Sequence, residues 1–292
     1  MRNTIKTRRS LPIAVGILVG VIVAALGVLV APAPASAAIP GYVVRPGVSD
    51  SNSVSPKSAT ARCLGNERVI GTGYKIEGAP TDVVLASLVP ASKEVIATAG
   101  EDADGTNTAW TLTAFAVCAT SMGDAKIIPA TQSPTTFQPF LQAEQPCTGG
   151  TQLIGSGAAL SPNAAGHVTI TRQFFQGGGT SLTTANVSDP QFTQNWSVTT
   201  YAICVPTHPG QSTPGGSSPF DNKPTKTATA NCGSGQVGTT AGWSVGTFGG
   251  PLIDSAVPSA TGVVTTGTID DDGIPGNAAW SIGTQSLCFT RN

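Results

Sequence analysis

The chain has 292 residues, with 15 basic and 16 acidic side chains, a net charge of −1 and only 11% charged residues. Such a charge-poor, faintly acidic balance argues against nucleic acid or an anionic membrane surface as a partner. Its 35 glycines and 22 prolines, set among frequent β-branched residues, point to an all-β protein rich in turns.

The first element is residues 1–37. Arg2, Lys6, Arg8 and Arg9 precede an uncharged apolar run from Leu11 to Val30, followed by Ala35-Ser36-Ala37. A basic start, an apolar middle and a small-residue cleavage site define a secretory signal peptide. An uncleaved membrane anchor is the alternative, since twenty or so apolar residues can span a bilayer. Thr7-Arg8-Arg9-Ser10-Leu11 partly matches a twin-arginine signal, but Pro12 interrupts it, so the general secretion route is expected. With four of the 15 basic residues and no acid removed, the mature chain carries 11 basic and 16 acidic groups, a net of −5. No membrane association is expected after cleavage. Residues 38–56 read as a flexible leader.

All six cysteines follow: Cys63, Cys118, Cys147, Cys204, Cys232 and Cys288, at alternating gaps of 55, 29, 57, 28 and 56. That alternation marks three repeats with a period near 85 residues. Their bounds are 57–118, 141–204 and 226–292, joined by linkers at 119–140 and 205–225, the second rich in Pro, Gly and Ser. The lead-in KSATARC returns as KTATANC, with LQAEQPC in the middle repeat. Ten residues after the first Cys of each repeat sits Gly73, Gly157 or Gly242, and eight before the second sits Trp110, Trp196 or Trp280. Residues two apart in a strand share a face, so Trp and Cys lie on the same side. That face tapers from indole through Leu112, Val198 or Ile282 to small residues and sulfur, as an inner face would.

Each repeat reads as about four antiparallel strands: one through the Gly position (RVIGTGYKI, QLIGSGAAL, VGTTAGWSV), two more, and the Trp-to-Cys strand. Six cysteines allow fifteen pairings. The gaps favour Cys63–Cys118, Cys147–Cys204 and Cys232–Cys288. Zinc needs closer ligand spacing than any here. A repeat this small has too little core to stand comfortably alone. Three sheets packed about a pseudo-threefold axis, a β-prism-like fold, are expected; a β-trefoil or three separate disulfide-stapled units are the alternatives.

The Cys, Gly-x-Gly strand and Trp-x7-Cys strand resemble repeats of secreted actinobacterial proteins. Gly71-Thr72-Gly73 and Gly155-Ser156-Gly157 match that pattern, whereas the third repeat has Thr240-Ala241-Gly242. A three-sheet prism also looks like eggshell outer-layer proteins and some lectins, without a lectin sugar-binding motif. The resemblance implies an extracellular location and no particular activity.

Candidate chemistry is sparse. Gly242-Trp243-Ser244-Val245-Gly246 spells the nucleophile elbow of α/β-hydrolases, but an elbow needs a strand-to-helix turn and a triad needs a base. His167 opens a strand and His208 lies in a linker. Asp102, Asp104, Asp270 and Asp272 fall in equivalent loops before the Trp strand. They are weak calcium candidates, since the full ligand pattern is missing and Asp-Gly is a turn signal first; no metal or other cofactor is expected. Tyr74 and Trp243 hold equivalent positions, and Phe174 and Phe175 precede a triple-glycine loop; exposed aromatic rings there could stack on sugars. Asn186-Val187-Ser188 and Asn195-Trp196-Ser197 fit the glycosylation sequon. The expected protein is secreted, extracellular and not an enzyme, structural or associated with the cell envelope. A carbohydrate-binding module is the alternative and an extracellular hydrolase the second. Glycans or envelope components are the expected partners, and the oligomeric state is open.

Overall fold

The structure is a computed structural model that describes residues 39–120, 122, 125–206, 210–246, 250–271 and 278–291. The signal segment, His208 and Asp272 lie outside the described residues. The first repeat carries β1 (Val43–Val48), β2 (Lys57–Arg62), β3 (Arg68–Glu77), β4 (Val83–Pro90), β5 (Glu94–Glu101) and β6 (Thr111–Ala119). The second carries β7 (Lys126–Gln132), β8 (Phe140–Pro146), β9 (Thr151–Leu160), β10 (Val168–Gln176), β11 (Thr180–Val187) and β12 (Val198–Pro206). The third carries β13 (Gly215–Ser217), β14 (Thr225–Asn231), β15 (Gln236–Val245), β16 (Pro251–Ser259), β17 (Gly262–Ile269) and β18 (Ile282–Thr290). A single 3-10 turn, Pro162–Ala164, is the one helical element among the described residues.

The four strands expected in each repeat are present, and two more flank them. The first extra strand of each repeat, β1, β7 or β13, falls in the segments read as leader and linkers. Antiparallel pairing organises all eighteen into three six-stranded sheets, in the orders β1-β6-β3-β16-β17-β14, β13-β18-β15-β10-β11-β8 and β2-β5-β4-β9-β12-β7. Each sheet is half one repeat and half another. The three repeats are thus not three sheets: each gives three strands to one sheet and three to the next. Separate stapled units are excluded, because the seams β3–β16, β15–β10 and β9–β4 are themselves hydrogen-bonded between repeats.

The Gly-x-Gly pattern has a steric cause at the centre, where β3, β9 and β15 meet. A Cβ on Gly71 would overlap the Thr239 carbonyl, and one on Gly155 the Ile70 carbonyl. Close backbone approach is a standard use of glycine. Hydroxyls then bind across the axis: Thr72 Oγ1 donates to Ser156 O at 2.6 Å, and Thr239 Oγ1 to Ile154 O. The departure of the third repeat is used the same way, since Thr240 Oγ1 donates to Thr72 O at 3.3 Å.

The disulfides form with the expected pairing, Cys63–Cys118, Cys147–Cys204 and Cys232–Cys288, at Cα separations of 5.7, 5.6 and 5.6 Å. Each first Cys follows the lead-in strand β2, β8 or β14, whereas each second Cys lies in β6, β12 or β18 of a different sheet. Every bridge therefore stays within one repeat yet clamps two sheets. Trp110, Trp196 and Trp280 are buried, and each indole N–H has an acceptor: Glu101 Oε1, Gln138 O and Lys223 O respectively.

Candidate functional site

The aromatic candidates come first. Tyr74 on β3 and Trp243 on β15 are each 1% exposed. They pack edge to face across the seam of two repeats, with ring centroids 5.6 Å apart. Tyr74 Oη donates to Ile253 O at 2.7 Å and Trp243 Nε1 to Ile170 O at 3.3 Å. Neither ring is open to a sugar, which corrects the expectation placed on them. Their strand position points inward, and large rings there fill the core. Phe175 is buried too, a second correction. Phe174 is half-buried, with the Arg172 guanidinium 5.7 Å from its centroid.

The acidic loops of the first and third repeats do meet. Carboxylate oxygens of Asp82, Asp104 and Asp271 lie within 4.8 Å of one another. Burial, then a hydrogen bond that its protonated carboxyl donates to Asp104 and the charge of Asp270, pushes Asp102 up to about 8. Asp82 is raised by burial and by Asp271 and Asp104. Three carboxylates could hold a cation in part, though calcium takes six to eight oxygens. Asp271 belongs to the Asp-Gly loop of the third repeat, whereas Asp82, just before β4 and far from the Asp-Gly signals, was missed by spacing.

The hydrolase motif resolves into a ladder position. Ser244 lies in β15 opposite Arg172 and Gly283, with no elbow. His167 Nδ1 is 2.8 Å from Asp189 Oδ2, and its ring stacks on Phe192 at 5.1 Å. That pair ties the loop after β11 to the start of β10, since His167 O also accepts from the Ser188 and Asp189 amides.

Two features had no clear sequence signal. Asp254 is a bulge residue of β16, 6% exposed, and burial raises its carboxyl to about 7 although the Thr268 hydroxyl donates to it at 2.6 Å. Register places Ala86 and Thr171 at the same bulge in the other repeats. The second feature is a cleft on the seam of the second and third repeats. One compartment of about 560 Å³ is lined mainly by apolar groups, including Phe140, Val187, Val245 and Leu252. A second, of about 410 Å³, shares Phe140, Thr171, Asn186 and Val245 with it and adds Gln142, Arg172 and Thr184. Volumes of this order are typical of small-molecule sites.

No known family's sequence profile matches the chain. A search of curated proteins finds no relative either.

Proposed function

We propose that this is a secreted, non-catalytic extracellular protein, structural or associated with the cell envelope. The observation that carries the reading is the disulfide set: three bridges, each clamping two sheets of the β core. Such bridges persist in oxidising compartments and are rare in the cytosol, and residues 1–37 have the form of an export signal. Three corners of the core are stapled, which suits a protein exposed to extracellular proteases. The resemblance to secreted β-repeat proteins of actinobacteria points the same way, and envelope glycans are the partners this reading expects. A non-catalytic role is supported by Ser244 lying in a strand ladder and by His167 being engaged by Asp189 and Phe192.

The test is fractionation of a secreting host. Expected is protein in the medium or envelope fraction, processed after Ala37, with no reactive thiol without denaturant and reductant. Cytoplasmic protein with free thiols would overturn the location. Turnover on ester or glycoside substrates, abolished by His167→Ala, would overturn the non-catalytic reading.

A further inference from the structure

Register allows the three seams to be compared position by position, and the residues lining the cleft on the seam of the second and third repeats differ from their counterparts at the other two. Val245, at its wall, is half-buried, whereas its counterparts Ile76 and Leu160 are buried. Phe140, 46% exposed, stands where the other repeats have Pro56 and Thr225. Arg172 stands where the other two have Ser87 and Ser255. One seam has thus acquired an exposed ring, an opened wall and a cation together.

The two compartments differ in chemistry. The larger is walled by Phe140, Val187, Val245 and Leu252, and has the nearly buried Asp270, 7% exposed, among its lining. The smaller is lined by Arg172, Gln142 and Asn186, the two amides donating to Glu144 Oε1 and Thr171 Oγ1 respectively. Among the described residues no carboxylate forms an ion pair with Arg172, whose guanidinium lies 5.7 Å from the Phe174 ring centroid. An apolar body belongs in the larger compartment, by burial of its surface. An anionic head belongs at Arg172, which gives charge-assisted hydrogen bonds to a carboxylate.

We propose that this seam binds an amphipathic carboxylate, with an aliphatic body against Phe140, Val187, Val245 and Leu252 and the carboxylate at Arg172. The class is that of a medium-chain fatty acid, released in an extracellular setting by lipid or ester hydrolysis.

The test is calorimetric titration of the purified oxidised protein with decanoate below its micelle concentration, beside decanol, decylamine and a chito-oligosaccharide. Saturable decanoate binding is expected, weakened about tenfold by Arg172→Gln, the loss of one charge-assisted contact. Val245→Trp, which fills the wall, is expected to abolish it. Arg172 is exposed, so Arg172→Gln is expected to fold even if the Trp variant does not. Decanol binding as tightly as decanoate, decylamine binding more tightly, oligosaccharide binding without decanoate, or decanoate affinity unchanged in Arg172→Gln would each overturn the proposal.

Discussion

Cys63 and Cys118 are joined within one repeat, yet Cys63 directly follows a strand of one sheet and Cys118 lies inside a strand of another. The same holds for the other two bridges. Each repeat is thereby a corner of the molecule, not a wall of it, and its bridge holds that corner closed.

The first prediction concerns those corners. Replacing Cys147 and Cys204 together by Ser opens a loop of 57 residues, which the chain-entropy argument values at about 4 kcal/mol. Because both sheets at that corner are shared between repeats, the whole protein is expected to melt at a lower temperature in a single transition. Calorimetry showing one of three independent transitions moving would contradict this.

Glycine positions separate cleanly. Gly71→Ala places a methyl group on the Thr239 carbonyl across the axis, and both are backbone-fixed. A loss of about 3 kcal/mol or more is expected, in the range of severe overpacking. Gly179→Ala meets nothing within 4 Å and is expected to change stability by less than about 0.5 kcal/mol. Urea denaturation of the two variants decides it.

Asp254 predicts a pH dependence of definite sign. Its folded value, raised to about 7 by burial, lies above the ordinary carboxyl value of 3.8. The folded state therefore holds its proton more tightly than the unfolded chain. The stability this gives is complete below about pH 4 and is lost as pH rises through about 7, by at most about 4 kcal/mol. Asp102, raised to about 8, acts in the same direction. Asp254→Asn is expected to flatten part of this slope and to be more stable than the parent at pH 8. Denaturation midpoints from pH 4 to 8 test it; a parent whose stability rises over that range would contradict it.

The lead-in lysines give a fourth prediction. Lys57 Nζ donates to Asn52 O and Trp110 O, both at 2.7 Å, and lies 3.9 Å from the Trp110 ring centroid. Lys226 Nζ matches the first contact by donating to Asp221 O at 3.1 Å, donates also to Pro219 O at 3.3 Å, and lies 5.4 Å from the Trp280 ring centroid. In the middle repeat the register puts Leu141 there. Lys57→Met removes the ammonium from the Trp110 carbonyl and from the Asn52 carbonyl, which keeps the Trp110 amide as donor, and is expected to cost about 2 kcal/mol. Leu141→Met, an apolar swap of like volume, is expected to cost under about 1.5 kcal/mol. Equal effects in thermal melts would remove the distinction.

Much of this was legible in the sequence. The Cys gaps and the Trp-to-Cys face carried the repeat, the pairing and the buried indoles, because packing constraints recur at the same strand position. The strands β1, β7 and β13 were hidden, for a physical reason. All three lie at sheet edges, where one row of backbone groups needs no partner and Pro is tolerated. Pro46 and Pro129 sit within β1 and β7 and read as linker. Alternation shows which face of a strand is inward but not which sheet it joins, so the sharing of sheets between repeats left no trace. Tyr74 and Trp243 were misread for the same reason: the ring pair forms only where two repeats meet. Asp254 carried no spacing signal at all.

The central claim is that no repeat is a folding unit, because its strands are split between two sheets completed by its neighbours. The most direct test is the amide spectrum of an oxidised fragment spanning residues 39–122, which contains the first repeat and its bridge. Collapsed peaks and no cooperative melt are predicted. A dispersed spectrum with a sharp thermal transition, from a monomeric fragment, would contradict the account.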